Sequence, residues 1–259
     1  MDAILTIGIS TLQANLPDLL NKLKLYDKII DKHIKFLVCA QGKEHFTQDI
    51  DHRVKVIHST TIGLSKSRNI LLENAASKFL WIQDDDIDLN VDFCNSFCEN
   101  YGSQECDIFI GKIHSTESHD DYKDYSFFMT HQKLNALKIS SIEIIVHVDF
   151  CKVNGLKFDP LLGLGTNLPC CEENLFLWQL FSLDAKVKYI SEYICKHTTL
   201  IDSRNIDFEK RFVAKGFLLS KLPIYYSLPL FFRWAIRPSS VVFLSRVKLL
   251  VKGFLSTRG

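Results

Sequence analysis

Short apolar runs alternate with amphipathic stretches along most of the chain. Residues 3–9 read as a buried strand. Leu16, Leu19, Leu20 and Leu23 then recur at helical spacing, with Pro17 suited to a first turn. Further apolar runs cover residues 34–39 and 54–57. Residues 65–76 read as a helix that offers Ile70, Leu71 and Leu72 to a core, and 78–83 as the next strand. A helix over 91–101 and strands over 107–110 and 143–148 follow. Residues 158–171, rich in Gly, Pro and Leu, read as an ordered loop. Residues 172–183 read as a helix with Leu175, Phe176, Gln179 and Leu180 along one side, and 186–190 and 193–195 as two short strands. This alternation predicts an α/β domain with a mainly parallel sheet flanked by helices. After Ser203 the texture changes to helical stretches broken by Pro223, Pro229 and Pro238. The division expected is therefore a main domain over 1–202 and a basic, amphipathic helical extension over 203–259.

One strand ends abruptly. Phe79-Leu80-Trp81-Ile82-Gln83 runs straight into Asp84-Asp85-Asp86. Open α/β sheets place ligands at the carboxyl ends of their strands. Adjacent carboxylates repel and raise one another's pKa unless a cation neutralises them. Oxygen ligands of this kind suit Mg²⁺ or Mn²⁺, and such an ion is a seat for a diphosphate. The plainer alternative is an acidic turn capping the following helix.

Composition narrows the class. The 259 residues are 47% hydrophobic, enough for one sizeable core. The formal net charge is +1, but residues 203–259 hold eleven Lys/Arg against Asp207 and Glu209, so the rest of the chain is strongly acidic. An acidic body with a basic tail fits an anionic surface better than a nucleic-acid binder. Among the eight cysteines there is no CxxC pair, and Cys170 and Cys171 are adjacent. Free thiols in a reducing compartment are expected, and zinc is not. The first nine residues lack the basic start and cleavage site of a signal peptide. No run of about 18 uncharged apolar residues is present.

Four segments in order resemble the family-2 glycosyltransferases of GT-A fold. They are the first strand running into Ser10-Thr11, Gly63-Leu64-Ser65-Lys66-Ser67-Arg68-Asn69 opening a helix, the Asp84-Asp85-Asp86 element, and Cys171-Glu172-Glu173-Asn174 after the Gly163–Gly165 loop. The likeness covers residues 3–200. It departs from the family where Ser10-Thr11-Leu12-Gln13 replaces a Pro-Thr-Tyr-Asn-like segment, where Ala40-Gln41-Gly42 replaces acidic residues, and where Glu172-Glu173 replaces Glu-Asp. The Gln-x-x-Arg-Trp element of processive synthases is absent, which favours single transfers.

The resemblance implies an inverting, metal-dependent transferase. It would move a sugar from a nucleotide-sugar, a UDP-sugar first, to a glycan or lipid-linked glycan in surface polysaccharide synthesis. It implies Mg²⁺ or Mn²⁺ held by Asp86 and Asp84, with His197 as a further ligand or simply a structural histidine. It places Ser10, Thr11, Gln41, Arg68, Asn69, Asp84 and Asp85 on the nucleotide-sugar side. Ser10 and Thr11 read equally as turn residues, and Asp85 as a cap. Arg68 would contact the diphosphate, hold Asp84, or lie on the surface. Glu173, then Glu172, is the expected general base; the alternative is that both complement a helix dipole.

In the extension, Leu228, Leu230, Phe231, Phe232 and Trp234 interleave with Arg233 and Arg237. Ser245, Lys248, Lys252 and Ser256 share a helical face opposite Leu244, Val247, Val251 and Phe254, with Arg246 expected to snorkel. Such a segment suits the interface of an anionic membrane, a packed cap, or an oligomer contact. The location expected is cytoplasmic or peripheral on the inner face of the cell membrane. Two rival functions remain at this point: a nucleotidyltransferase on a related sheet, and a non-catalytic membrane-associated binding protein.

Overall fold

The computed structural model describes residues 3–27, 30–43, 53–117, 120–129, 133–198, 207–237, 239 and 241–256. Eight strands form one sheet: β1 (Leu5–Leu12), β2 (Ile34–Gln41), β3 (Val54–Ser59), β4 (Phe79–Asp84), β5 (Asp88–Leu89), β6 (Ile108–Ser115), β7 (Ile144–His147) and β8 (Val187–His197). Their spatial order is β3-β2-β1-β4-β7-β6-β8-β5. β1 to β4 are parallel. β7 runs antiparallel between β4 and β6, and β5 is antiparallel on β8. The expected parallel sheet is thus a mixed one, parallel from β3 through β4.

The helices between strands are α1 (Leu16–Asp27), α2 (Leu64–Asn74), α3 (Val91–Asn100), α4 (Val148–Val153) and α5 (Glu172–Ser182). They cover both sheet faces, which explains why strand sequences are near-continuous apolar runs. In β4, Phe79 and Trp81 join a cluster with α1 and α3. Leu80 and Ile82 join one with α2 and α5. The two short strands expected near residue 190 are one strand, β8, whose register against β6 shifts around Lys112.

The extension forms α6 (Phe208–Lys221), α7 (Ile224–Ile236) and α8 (Phe243–Leu255). The expected boundary at residues 202/203, and Pro238, lie outside the described residues. Pro229 does not break the chain; it sits inside α7. The ring removes a single backbone donor, and the carbonyl that loses its partner belongs to exposed Tyr225, where water can serve it. Phe212, Ala214, Phe217, Leu218, Leu219 and Leu250 are buried in the same cluster as α2 and α5. The inner side of the extension is therefore a packed cap. Gly216 and Gly253 bring α6 and α8 to backbone contact: a Cβ at Gly253 would lie 1.9 Å from the Val213 carbonyl oxygen. The buried stripe of α8 is Arg246, Leu250 and Gly253, not the apolar face read from periodicity, so Leu244 and Val251 stay exposed. Arg246 does not snorkel. It turns inward and donates to the Arg237 carbonyl oxygen, a group left unpaired by the end of α7.

Candidate active site

The carboxyl ends of β1, β2 and β4 converge because these strands are parallel and in register. Ser10 pairs with Asp84, and Leu12 with Gln41. They floor a cleft of about 490 Å³, lined among others by Ser10, Thr11, Gln41, Asp84, Asp85, Asp86 and His197. Seven residues singled out from the sequence thus meet in one place.

Behind the cleft lies a buried ionic network. Arg68, on the first turns of α2, is 1% exposed. Its Nη1 donates to Glu172 Oε1 at 2.9 Å. Its Nη2 donates to Asp84 Oδ1 at 3.1 Å and to Ser141 Oγ at 2.7 Å. The guanidinium also lies over the Phe158 ring, 5.7 Å from its centroid. Burial alone would lower its pKa; the charges of Asp84, Glu172 and Glu173 outweigh this and raise it. Arg68 is therefore no surface arginine. It is the cation that holds Asp84 against α5.

At the rim the three carboxylates diverge. Asp85 turns to the end of β1, accepting from Thr11 Oγ1 at 2.6 Å and from Asn15 Nδ2 at 3.1 Å. Asp86 faces His197, with Oδ2 3.9 Å from Nε2. His197 Nδ1 lies 2.6 Å from the Thr198 carbonyl oxygen. A carbonyl can only accept, so Nδ1 carries the proton and Nε2 turns toward Asp86. Burial first, and the neighbouring charge of Asp84 next, push the Asp86 carboxyl up. Tyr122 stands edge-on to the imidazole at 5.4 Å between centroids.

Among the described residues no group of three His, Cys, Asp or Glu side chains is arranged to hold a metal. The Asp86–His197 pair nevertheless fits one. A carboxylate with a raised pKa and an imidazole nitrogen face each other across a gap. A divalent ion bound with a diphosphate takes only one or two ligands from the protein.

Other residues shape the walls. Gln41 accepts from the Gly63 N–H at 2.8 Å, and the Leu64 N–H donates to the Leu164 carbonyl at 2.9 Å. The two glycine loops touch along their backbones: Gly165 has φ +84, and a Cβ there would lie 3.3 Å from Gly63 Cα. The structure does not bring Asn69 into the cleft. Its amide clamps both backbone groups of Phe158, at 2.8 Å each.

Glu172 and Glu173 open α5 behind Cys171, which has φ 76. Glu172 is buried and committed to Arg68. Glu173 is half-buried, and protein crowding, then the charge of Glu172, raise its pKa well above the usual carboxylate range. Neither lines the cleft itself. Sequence reasoning missed Ser141, Asn15 and Tyr122. None belongs to a recognisable motif; Asn15 follows β1 directly, whereas Ser141 and Tyr122 arrive from connections distant in sequence.

The sequence matches the family model described as Glycosyl transferase family 2 over residues 40–161. That span holds Gln41, Arg68, Asn69 and Asp84 to Asp86, but not Ser10, Thr11, Glu172, Glu173 or His197. Among solved structures, residues 1–349 of TarS from S. aureus superpose with a TM-score of 0.63 at 14% identity, covering 98% of this chain and 71% of that one. The same protein in complex with UDP-GlcNAc gives 0.62 at 14% identity, with 98% and 72% covered. The chain spans 43% of the longer TarS structure. The mannosyltransferase PcManGT from Pyrobaculum calidifontis, in complex with GDP-Man and Mn²⁺, gives 0.56 at 10% identity, with 98% and 71% covered. No curated protein matches the chain in sequence. At such identities the structural likeness establishes the fold, the expected GT-A arrangement.

Proposed function

We propose that this chain, a glycosyltransferase by its family-2 segment and its GT-A fold, moves a sugar from a UDP-sugar to a hydroxyl of a glycan or lipid-linked glycan, with inversion at the anomeric carbon. The observation that carries the reading is the divergence of Asp84 and Asp86 at one strand end. Asp84 is fixed by Arg68 and points a rigid acceptor into the cleft, suited to a ribose or sugar hydroxyl. Asp86 faces His197 across a gap and would hold Mg²⁺ or Mn²⁺, which, when bound, neutralises the charge of the departing diphosphate. Ser10, Thr11 and Gln41 would border the nucleotide from the ends of β1 and β2.

In the transfer, the acceptor oxygen bonds to the anomeric carbon as the bond to the diphosphate oxygen breaks. The acceptor's proton passes to Glu173. Glu172 is tied to Arg68, so Glu173 is the carboxylate of the pair free of a direct cation partner. Burial and the charge of Glu172 raise its pKa, which makes it a stronger base than an ordinary glutamate.

No described helix is long and apolar enough to cross a membrane. The outer face of the extension exposes Ile224, Tyr225, Phe232, Ile236 and Leu244 beside Arg233, Lys248 and Lys252. This combination supports a surface contact with an anionic bilayer.

Calorimetry with UDP, with and without a chelator, tests the donor site. Affinity should fall at least tenfold without the metal, and Asp86→Ala should reproduce that loss in the presence of Mn²⁺. Equal binding in all three conditions removes the metal from the mechanism.

A further inference from the structure

The eight thiols of the chain are not equivalent. Seven are buried, and Cys170 alone is partly exposed. Its Sγ lies 3.5 Å from that of the next residue, Cys171. The pair joins the glycine loop to α5. The Cys170 N–H donates to the Leu168 carbonyl at 2.9 Å, and the Leu175 N–H donates to the Cys171 carbonyl at 3.1 Å. Cys171 takes φ 76, a conformation uncommon outside glycine. Two sulfurs are thus held together on the turn that launches Glu172 and Glu173.

Their surroundings favour charge on one sulfur only. The hydrogen bond from Cys171 holds the Cys170 thiol below its ordinary range. Burial and Glu172 oppose this, and the cations Arg211 and Lys215 of α6 support it. Cys170 Sγ packs against α6, 4.0 Å from the Arg211 carbonyl oxygen. Among the charged or ionisable groups that bear on Lys215 there is no carboxylate. Elsewhere the direction is the opposite. Burial pushes the thiols of Cys94, Cys98 and Cys151 up to about 12 and raises those of Cys39, Cys106 and Cys195. Cys171 is raised by its bond to Cys170 first and by burial next. The thiolate is the reactive form of cysteine. Cys170 is therefore the exposed nucleophile, with a neutral thiol in contact beside it.

We propose that Cys170 is a site of reversible oxidation by peroxide, that Cys171 is its resolving thiol, and that ring closure between them displaces the start of α5. The Cys170 sulfur attacks one oxygen of hydrogen peroxide. The O–O bond breaks, hydroxide leaves and is protonated to water, and Cys170 becomes a sulfenic acid. The Cys171 sulfur then attacks the Cys170 sulfur. The S–S bond forms, the S–O bond breaks, and a second water leaves with the Cys171 proton. Two thiols and one peroxide give one disulfide and two waters; the sulfurs lose the two electrons that the peroxide gains. Adjacent Cα atoms stand about 3.8 Å apart across a trans peptide, closer than the roughly 4.4–6.8 Å usual for a disulfide. Such a ring is strained, so a thiol reductant reopens it readily. Closure must bring the sulfurs from 3.5 Å to about 2 Å. The movement falls on Cys171, whose carbonyl accepts the Leu175 hydrogen bond of α5. Glu173 stands on that turn. The consequence for sugar transfer rests on its reading as the base; the oxidation itself does not.

The test uses the full chain, reduced, freed of reductant and titrated with hydrogen peroxide. Peptide mass spectrometry should show the segment holding both residues losing two hydrogens, and dithiothreitol should restore them. This segment should react roughly tenfold faster than any of the other six thiols. Cys171→Ser should stop at a sulfenic acid that dimedone traps, and Cys170→Ser should leave Cys171 unreacted. Lys215→Gln should slow the reaction several-fold. Hydrogen exchange at the start of α5 should quicken in the oxidised wild type and stay unchanged in peroxide-treated Cys170→Ser. UDP binding with Mn²⁺ in reduced Cys170→Ser should equal that of the reduced wild type, which shows that the variant folds. Faster oxidation of another thiol, irreversible sulfinic acid at Cys170 in place of the disulfide, or ring closure with unchanged exchange in α5 each overturns the proposal. Failure of the reduced wild type to bind UDP would instead overturn the donor reading and leave the thiol chemistry standing.

Discussion

The back of the cleft and its rim handle negative charge in opposite ways. Behind the cleft, Asp84 and Glu172 share one buried arginine, with Ser141 as a third acceptor, at distances of 2.7–3.1 Å. At the rim, Asp86 faces a histidine at 3.9 Å and keeps half of its side chain exposed. The first arrangement is complete within the chain and sets geometry. The second is looser, and its carboxyl is pushed up by burial first and by the neighbouring charge of Asp84 next. Two aspartates two residues apart are thus one held in place by an arginine of the chain and one facing a histidine across a gap. The difference comes from what the neighbouring helices bring to each, since the side chains are chemically identical.

Removing the cation behind the cleft should give the largest effect. Arg68→Met leaves buried Glu172 and partly exposed Asp84 without their cation, and breaking such a network costs about 3–5 kcal/mol. Urea denaturation measures it; a loss below about 1 kcal/mol would mean that water reaches the network freely. Next comes the base. Glu173→Gln should keep donor affinity and slow transfer roughly 10²–10⁴-fold. Glu172→Gln should act chiefly on stability, because its carboxylate serves Arg68. If the two variants exchange these phenotypes, the roles within the acidic pair are reversed.

The pH dependence sharpens the same contrast. The raised pKa of Glu173 means that the folded state holds this proton more tightly than the unfolded chain does. Its contribution to stability is full below the ordinary glutamate range and is lost as pH rises through the folded-state value. Activity should rise over that same interval as the base ionises. Glu173→Gln should flatten both profiles; if stability still falls over that interval in the variant, another buried acid is responsible. Glu143 is the candidate to check, since burial raises its pKa too. The smallest effect expected is at the rim. Thr11→Val removes one hydrogen bond to Asp85, about 1 kcal/mol by denaturation, and Asn15 remains as a partner. No change in UDP affinity would show that the orientation of Asp85 does not matter to the donor.

Much of this arrangement was written in the order of residues along the chain. An apolar run followed by three aspartates can end a buried strand at a ligand edge, and parallel β1 and β4 put Ser10 opposite Asp84 as that reading requires. The helix starting near residue 65 and the acidic start of α5 were equally legible, because capping and periodicity are local. The tertiary structure alone decided what each side chain does. Asn69 clamps Phe158, 89 residues away, although it adjoins Arg68. Arg246 turns into the protein because the end of α7 presents a carbonyl to it. The stripe of α8 that is buried follows from a glycine-to-glycine approach with α6, which overrides the apolar periodicity of α8 itself. Sequence patterning fixes which face a residue occupies within its own element. Burial and partnership depend on which other elements arrive there, and those contacts join residues far apart in the chain.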